Sequence, residues 1–232
     1  MIIQEFGQLA GATAPVQSLY DELVAKGVRI ELFPGKTSPY SGNGSAWACA
    51  DWHHGEAVWR VYFQPTARAY EIYHELLHME FKHVCGAPIM QTILPTDPHR
   101  DSVAQLNNDL DHAYVTPRQI ETYPEAEAYW ATDYTRILGT ISPFDPLAQA
   151  GVQLQRKADL LRSWLVLPVA MPSAPITQRF REELVKNDWL AIADELSADV
   201  QKAGSDKARS AEAYRDALEF DFPPEGRVKF TH

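Results

Sequence analysis

The chain has 232 residues, 45 % hydrophobic and 22 % charged, the profile of a folded globular protein and not of a disordered one. Thirty-one acidic against twenty-one basic side chains leave a formal charge of −10, which disfavours nucleic acid and the anionic face of a membrane as main partners. Two cysteines, Cys49 and Cys85, exclude a disulfide framework and read as small buried hydrophobes.

The N-terminus, MIIQEFGQLAG, has neither a basic start nor an apolar stretch and does not read as a signal peptide. A helix is expected next, capped by Thr13, with Pro15 in its first turn and Gly27 at its end. VRIELF (28–33) alternates apolar and polar residues like a strand and stops at Pro34-Gly35; residues 36–45 read as a loop. Two β-branched, aromatic runs, 46–52 and 57–63, are joined by His53-His54-Gly55-Glu56, a hairpin signal whose histidines suit an exposed turn.

From residue 67 the pattern turns helical. A strong helix is expected over 67–85, closed by Gly86, then a connector over 88–100 and a helix over 101–115. Further helices are expected over 118–138 (with a break near Pro124), 146–166, 178–203 and 206–219, and a short strand over 227–230. The longest nearly apolar run, Trp164 to Met171, is far short of the roughly 20 residues of a spanning helix, so a cytoplasmic protein is expected. The proline-rich stretch 168–175 is the candidate hinge, dividing the chain into 1–166 and a helical extension over 176–232 that can belong to the same domain. The expected class is α+β: a small N-terminal sheet on a central helix, then a mainly helical C-terminal part.

Residues 74–78 read His74-Glu75-Leu76-Leu77-His78, an HExxH motif inside the helix expected over 67–85. Residues four apart lie one turn apart on one face, so two imidazoles can converge on a single ion at the roughly 2.0–2.1 Å of zinc–nitrogen bonds. Glu75, one residue along, points about 100° away and can reach a water at the ion instead of the ion itself. Both histidines fall at the edge of an apolar arc made by Tyr70, Tyr73, Leu77 and Phe81, while Ile72, Leu76 and Met79 make the opposite side apolar too. Such a helix is central, and two imidazoles in it need a partner, which a shared cation or a carbonyl can provide.

This motif, on a helix that follows a small sheet, resembles the active-site helix of the zincin superfamily of zinc metallopeptidases. The resemblance covers residues 28–115 and is specific only in the motif. It implies that His74 and His78 bind Zn2+, that Glu75 activates the hydrolytic water, and that an extended peptide or protein substrate lies along an edge strand, 46–52 or 57–63. The metzincin extension HExxHxxGxxH is broken by Phe81 and Val84, so the third ligand is expected from a later helix, as in gluzincin-like families. His112, within Asn107-Asn108-Asp109-Leu110-Asp111-His112, is the first choice, with Asn108 one turn back as an orienting neighbour. Asp109 and Asp111 remain rivals, since a carboxylate completes many catalytic zinc sites, and so does Glu121. Tyr70, Tyr114 and Tyr123 are open alternatives for a group assisting the developing oxyanion.

Other candidates are weaker. His83 projects about 140° from His78 and Cys85 lies roughly 10 Å further along the axis, so neither suits the same ion. His99 sits in the connector. Two rival readings compete with a general peptidase. One is a zincin-derived regulatory or toxin-like module that binds or cleaves a single protein partner. The other is an interaction protein with a purely structural metal, against which the intact Glu75 speaks.

Overall fold

The computed structural model describes residues 11, 13–35, 48–53, 56–145 and 147–231. The expected loop at 36–45 and His54-Gly55 of the hairpin link lie outside the described residues, as do the side chains of Cys49 and His53. The fold is α+β and mostly helical, in two compact units that meet in sequence between Cys85 and Gly86.

The first unit opens with α1 (Ala14–Ala25), whose first turn holds Pro15 and which stops at Gly27, a residue with φ +84° that favours glycine. Val16, Leu19 and Leu23 are buried, and α1 packs on α2 (Ala69–His83). Between them a three-stranded sheet forms in the order β1 (Ile30–Pro34), β3 (Val58–Phe63), β2 (Ala48–His53). The short link from β2 to β3 makes that pair antiparallel, whereas β1 runs parallel to β3 on its other side. β3 is central: Val58, Trp59, Val61, Tyr62 and Phe63 are all buried. Its one half-buried residue, Arg60, bonds Glu31 of β1 at 3.0 Å and Glu56 at 2.6 Å. β2 is the outer strand on that side among the described residues and lies against α2, which places the motif helix beside it.

The second unit corrects the expected boundaries in four places. The connector 88–100 contains β4 (Ile89–Thr92), paired antiparallel with β5 (Val228–Thr231), so four residues become a strand through a partner at the other end of the chain. The helix expected to end at 115 continues as α3 (Arg100–Thr122), passing through Pro117. Proline there lacks the N–H that would reach the Ala113 carbonyl, and Gln201 of a later helix donates its Nε2 to that oxygen at 3.2 Å instead. Tyr123-Pro124 then starts a new helix, α4 (Ala126–Thr140).

α5 (Ala150–Trp164) is followed by one extra turn, α6 (Leu167–Ala170), within the proposed hinge. That stretch is packed: Met171 and Ala174 are buried, and the Thr177 hydroxyl donates to the Met171 carbonyl at 2.6 Å. The long helix expected over 178–203 is two, α7 (Pro175–Lys186) and α8 (Leu190–Ala203). Asp188 adopts φ +58° between them, the Asn187 amide donates to the Glu183 carbonyl at 2.6 Å, and Trp189 N–H returns to Leu184 O at 2.9 Å. α9 (Lys207–Leu218) is capped by Asp206, which accepts from Arg209 N–H at 3.1 Å. The core of this unit is Leu106, Leu160, Leu161, Leu165, Phe180, Leu184 and Tyr214, each fully buried. Among the described residues, no helix is long and apolar enough to cross a membrane.

Candidate metal centre

The motif helix forms for reasons visible in its sequence. Arg68 is extended ahead of it, and Glu71 reaches back to accept the Arg68 backbone N–H at 2.7 Å, closing the first turn. Lys82 and His83 place basic side chains in the last turn, and Val84 and Cys85 N–H both return to Glu80 O before Gly86, at φ +73°, ends the run. Tyr70, Tyr73, Leu77 and Phe81 on one side and Ile72, Leu76 and Met79 on the other are buried, as the apolar pattern requires. His74, Glu75 and His78 are half-buried: anchored by the packing, yet open on one side.

His74 and His78 come together through their Nε2 atoms, 3.1 Å apart, with ring centroids 4.8 Å apart and planes at 80°. Two nitrogens each about 2.0–2.1 Å from one tetrahedral ion lie roughly 3.3 Å apart, so the bare pair already stands close to the edge of a zinc tetrahedron. The donor chemistry fits as well. Without an ion, the same distance is held by one shared proton, one ring donating and the other accepting, a bond that either ring surrenders when Nε2 gives its lone pair to a metal.

Glu75 points elsewhere, as its place in the motif demands. Its Oε2 accepts the backbone N–H of Ala50 at 2.9 Å. Ala50 stands on β2, an outer strand, and this N–H points out of the sheet toward α2 and not to β3. Nothing in the sequence pattern identifies this contact, since the partners stand twenty-five positions apart with the whole of β3 between them.

His112 lies in the second unit, on α3. It is half-buried, with its ring edge-on to Trp130 of α4 at 5.2 Å and 68°. Trp130 is itself fixed by donating Nε1 to Gln119 Oε1 at 2.7 Å, so a residue two turns along α3 braces the wall against which His112 rests. The rival carboxylates are engaged otherwise. Asp111 pairs with the buried Lys207 at 2.5 Å, and Asp109 accepts from Gln105 at 3.0 Å and faces Arg162 at 3.6 Å. Glu121 is exposed and Asn108 half-buried.

The remaining candidates have structural partners. His83 Nε2 accepts from Trp59 Nε1 at 2.7 Å, tying the end of α2 to β3. Burial, then the Lys82 charge, lowers its pKa, which suits the neutral acceptor form. Of the tyrosines, Tyr70 and Tyr123 are buried, and Tyr114 accepts from Arg118, whose guanidinium also sits 5.0 Å from its ring. His99 lies beside Phe222 at 6.1 Å, and Cys85 is half-buried.

Asp109 makes a testable electrostatic case. Burial lifts its pKa to about 6, against the pull of Arg162 and the Gln105 bond. At 3.6 Å the Arg162 Nε is beyond hydrogen-bond range, which is why the cation does not compensate desolvation fully. A folded-state value above the unfolded one of about 3.9 means that the folded chain binds the proton more tightly. The contribution is therefore complete below about pH 4 and lost as pH rises through 6, on the order of 2 kcal/mol. Urea denaturation across pH 4–7 is expected to show this decline, and Asp109→Asn to flatten it.

No protein-family model matches this chain, and neither the curated proteins nor the solved structures yield a match to it.

Proposed function

We propose that the chain is a zinc-dependent metallopeptidase of zincin-like architecture that hydrolyses a peptide or protein substrate in the cytoplasm. The observation that carries this reading is the His74–His78 pair at 3.1 Å, one residue from a glutamate held on an outer strand. His74 and His78 hold the ion through Nε2, and His112 is proposed as the third ligand. Each of the three offers one ring nitrogen, and among the described residues no other set of three histidine, cysteine or carboxylate side chains is a candidate ligand group. Arg162 and Lys207 supply the reason to prefer His112 over Asp109 and Asp111, since each carboxylate already answers a cation.

When bound, the ion supplies Lewis acidity to a water molecule and to the carbonyl of the scissile amide. Glu75 provides the proton transfers: its carboxylate takes a proton from the attacking water and returns it to the nitrogen of the departing amine. The Ala50 N–H holds that carboxylate in one orientation, so the base is placed before substrate arrives. As an outer strand among the described residues, β2 is the element along which an extended polypeptide substrate is proposed to lie.

The test is metal uptake followed by hydrolysis. Chelator-treated protein is expected to take up one Zn2+ per chain by calorimetry. At about 100 times Kd the ion adds roughly 2.7 kcal/mol, or about 5–10 °C in melting temperature. His74→Ala and His78→Ala are each expected to abolish the shift. Cleavage of a mixed fluorogenic peptide library should follow metal content. Absence of stoichiometric uptake and of any thermal shift overturns the reading.

A further inference from the structure

A side chain that must be ordered at the moment it takes an ion gives up part of its binding energy, so groups that orient its ring beforehand raise affinity. His112 of α3 is half-buried and meets such a group in Trp130 of α4, with ring centroids 5.2 Å apart and planes at 68°. Edge-to-face contact of this kind is a favoured approach of two aromatic rings, so the indole gives the imidazole a preferred direction.

The indole is itself immobilised. Trp130 is buried, and its Nε1 donates to Oε1 of the buried Gln119 at 2.7 Å. Gln119 lies seven residues beyond His112, about 20° off the same line of α3 after two turns. Ligand and brace thus spring from one helix face, and Trp130 bridges them from α4. Behind the indole, buried Tyr134, one turn along α4, lies 6.1 Å away at 38°. Phe180 of α7, fully buried, meets Tyr134 edge-on at 6.1 Å and 89°. Rotating the indole would therefore strand a buried donor and disturb packing that runs through three helices. An aliphatic side chain at position 130 could occupy the volume, but it would neither bond Gln119 nor present a ring to His112.

We propose that Trp130 is a positioning residue of the metal centre: locked by Gln119 and Tyr134, it holds the His112 ring in one orientation before the ion arrives. This rests on the metal reading and on His112 as third ligand, and it adds a residue that acts only through His112. Trp130 contributes to affinity for the ion, and Gln119 contributes through Trp130.

The experiment is a double-mutant cycle on the full-length protein, read as Zn2+ affinity by calorimetry, with the visible absorption of the Co2+-loaded protein as a second readout. Trp130→Leu is expected to weaken Zn2+ binding about 10–100-fold, the range for groups that orient a metal ligand. Trp130→Phe, which keeps a ring beside His112 and gives up the bond to Gln119, is expected to fall between Trp130→Leu and the wild type. In a His112→Ala background the same substitutions are expected to change nothing further, because no ring is left to orient. The Co2+ bands of Trp130→Leu should move toward those of His112→Ala. A Trp130 that only supports the fold would lower affinity equally in both backgrounds, and that result overturns the proposal, as does unchanged affinity in Trp130→Leu. Should Trp130→Leu fail to fold by circular dichroism, Trp130→Phe carries the same cycle. Zn2+ uptake that His112→Ala leaves intact overturns the proposal alone, with the His74–His78 pair still in place. A wild type that takes up no Zn2+ overturns the metal reading and this proposal together.

Discussion

Replacing Glu75 by Gln is expected to leave zinc uptake and melting temperature unchanged while hydrolysis falls by about 10²–10⁴-fold. The separation of the two effects follows from the Ala50 contact. A glutamine keeps a side-chain oxygen where Oε2 stands, so the bond to the Ala50 N–H at 2.9 Å survives and the side chain stays where it was. What disappears is the ability of that group to hold a proton between the attack on the amide and the departure of the amine. The loss should therefore fall on kcat, with KM nearly constant, because the substitution removes an interaction used in the transition state and not in binding. Glu75→Asp supplies the contrast: it keeps a base but draws it back by one methylene, out of reach of Ala50. The measurement is kcat and KM on metal-loaded protein, using a peptide that the wild type cleaves. Undiminished kcat in a fully loaded Gln variant removes Glu75 from its assigned role.

How much of this was legible beforehand varies with the range of the interactions. The motif helix was readable almost to its limits, because its determinants are local: three-to-four-residue apolar spacing, a glutamate in the first turn, and Gly86 after the last. The expected 67–85 became Ala69–His83. The sheet of the first unit was readable for the same reason, since β2 and β3 follow one another and each carries its own β-branched pattern. β4 was not. Ile89–Thr92 is too short to show a period, and what makes it a strand is Val228–Thr231, far along the chain. The continuation of α3 through Pro117 was equally hidden, because the carbonyl left over is satisfied by Gln201, eighty-eight residues away.

The candidate site divides along the same line. The convergence of His74 and His78 needs only the pitch of a helix, and the spacing alone predicted it. The status of Asp109 and Asp111 could not be read from their own segment. Both looked like free carboxylates within one turn of His112, and both are counter-ions to cations that arrive from α5 and α9. The same holds for His83, whose exclusion from the ligand set was a matter of angle but whose actual role depends on Trp59 across the sheet. Long-range polar pairing is decided by tertiary packing, and a single sequence carries no local trace of it.

The largest stability effect is expected at one of those pairs. Lys207 is 3 % exposed, forms an ion pair with Asp111 at 2.5 Å and donates to Asn107 Oδ1 at 2.8 Å, while the same Asn107 oxygen accepts the Met90 N–H at 2.9 Å. One ammonium therefore ties α9 to α3, and through Asn107 to β4. Burial lowers its pKa against the pull of Asp111, so the ion pair survives on the quality of its bonds and not on cheap desolvation. Lys207→Met keeps most of the aliphatic volume but leaves a largely buried Asp111 carboxylate without its cation, and is expected to cost about 3–5 kcal/mol in urea denaturation. Asp111→Leu alone should cost a similar amount, by stranding the ammonium. The double variant, Lys207→Met with Asp111→Leu, is expected to recover most of the loss, because neither charge then remains to be buried. A double variant as unstable as the sum of the two singles would show that the pair is a packing element and not a mutually compensating one. Since α3 also carries His112, the proposed third ligand, the single variants offer a test of that proposal too: if His112 binds the ion, a loosened α3 should weaken metal uptake in step with stability, whereas the double variant should restore both.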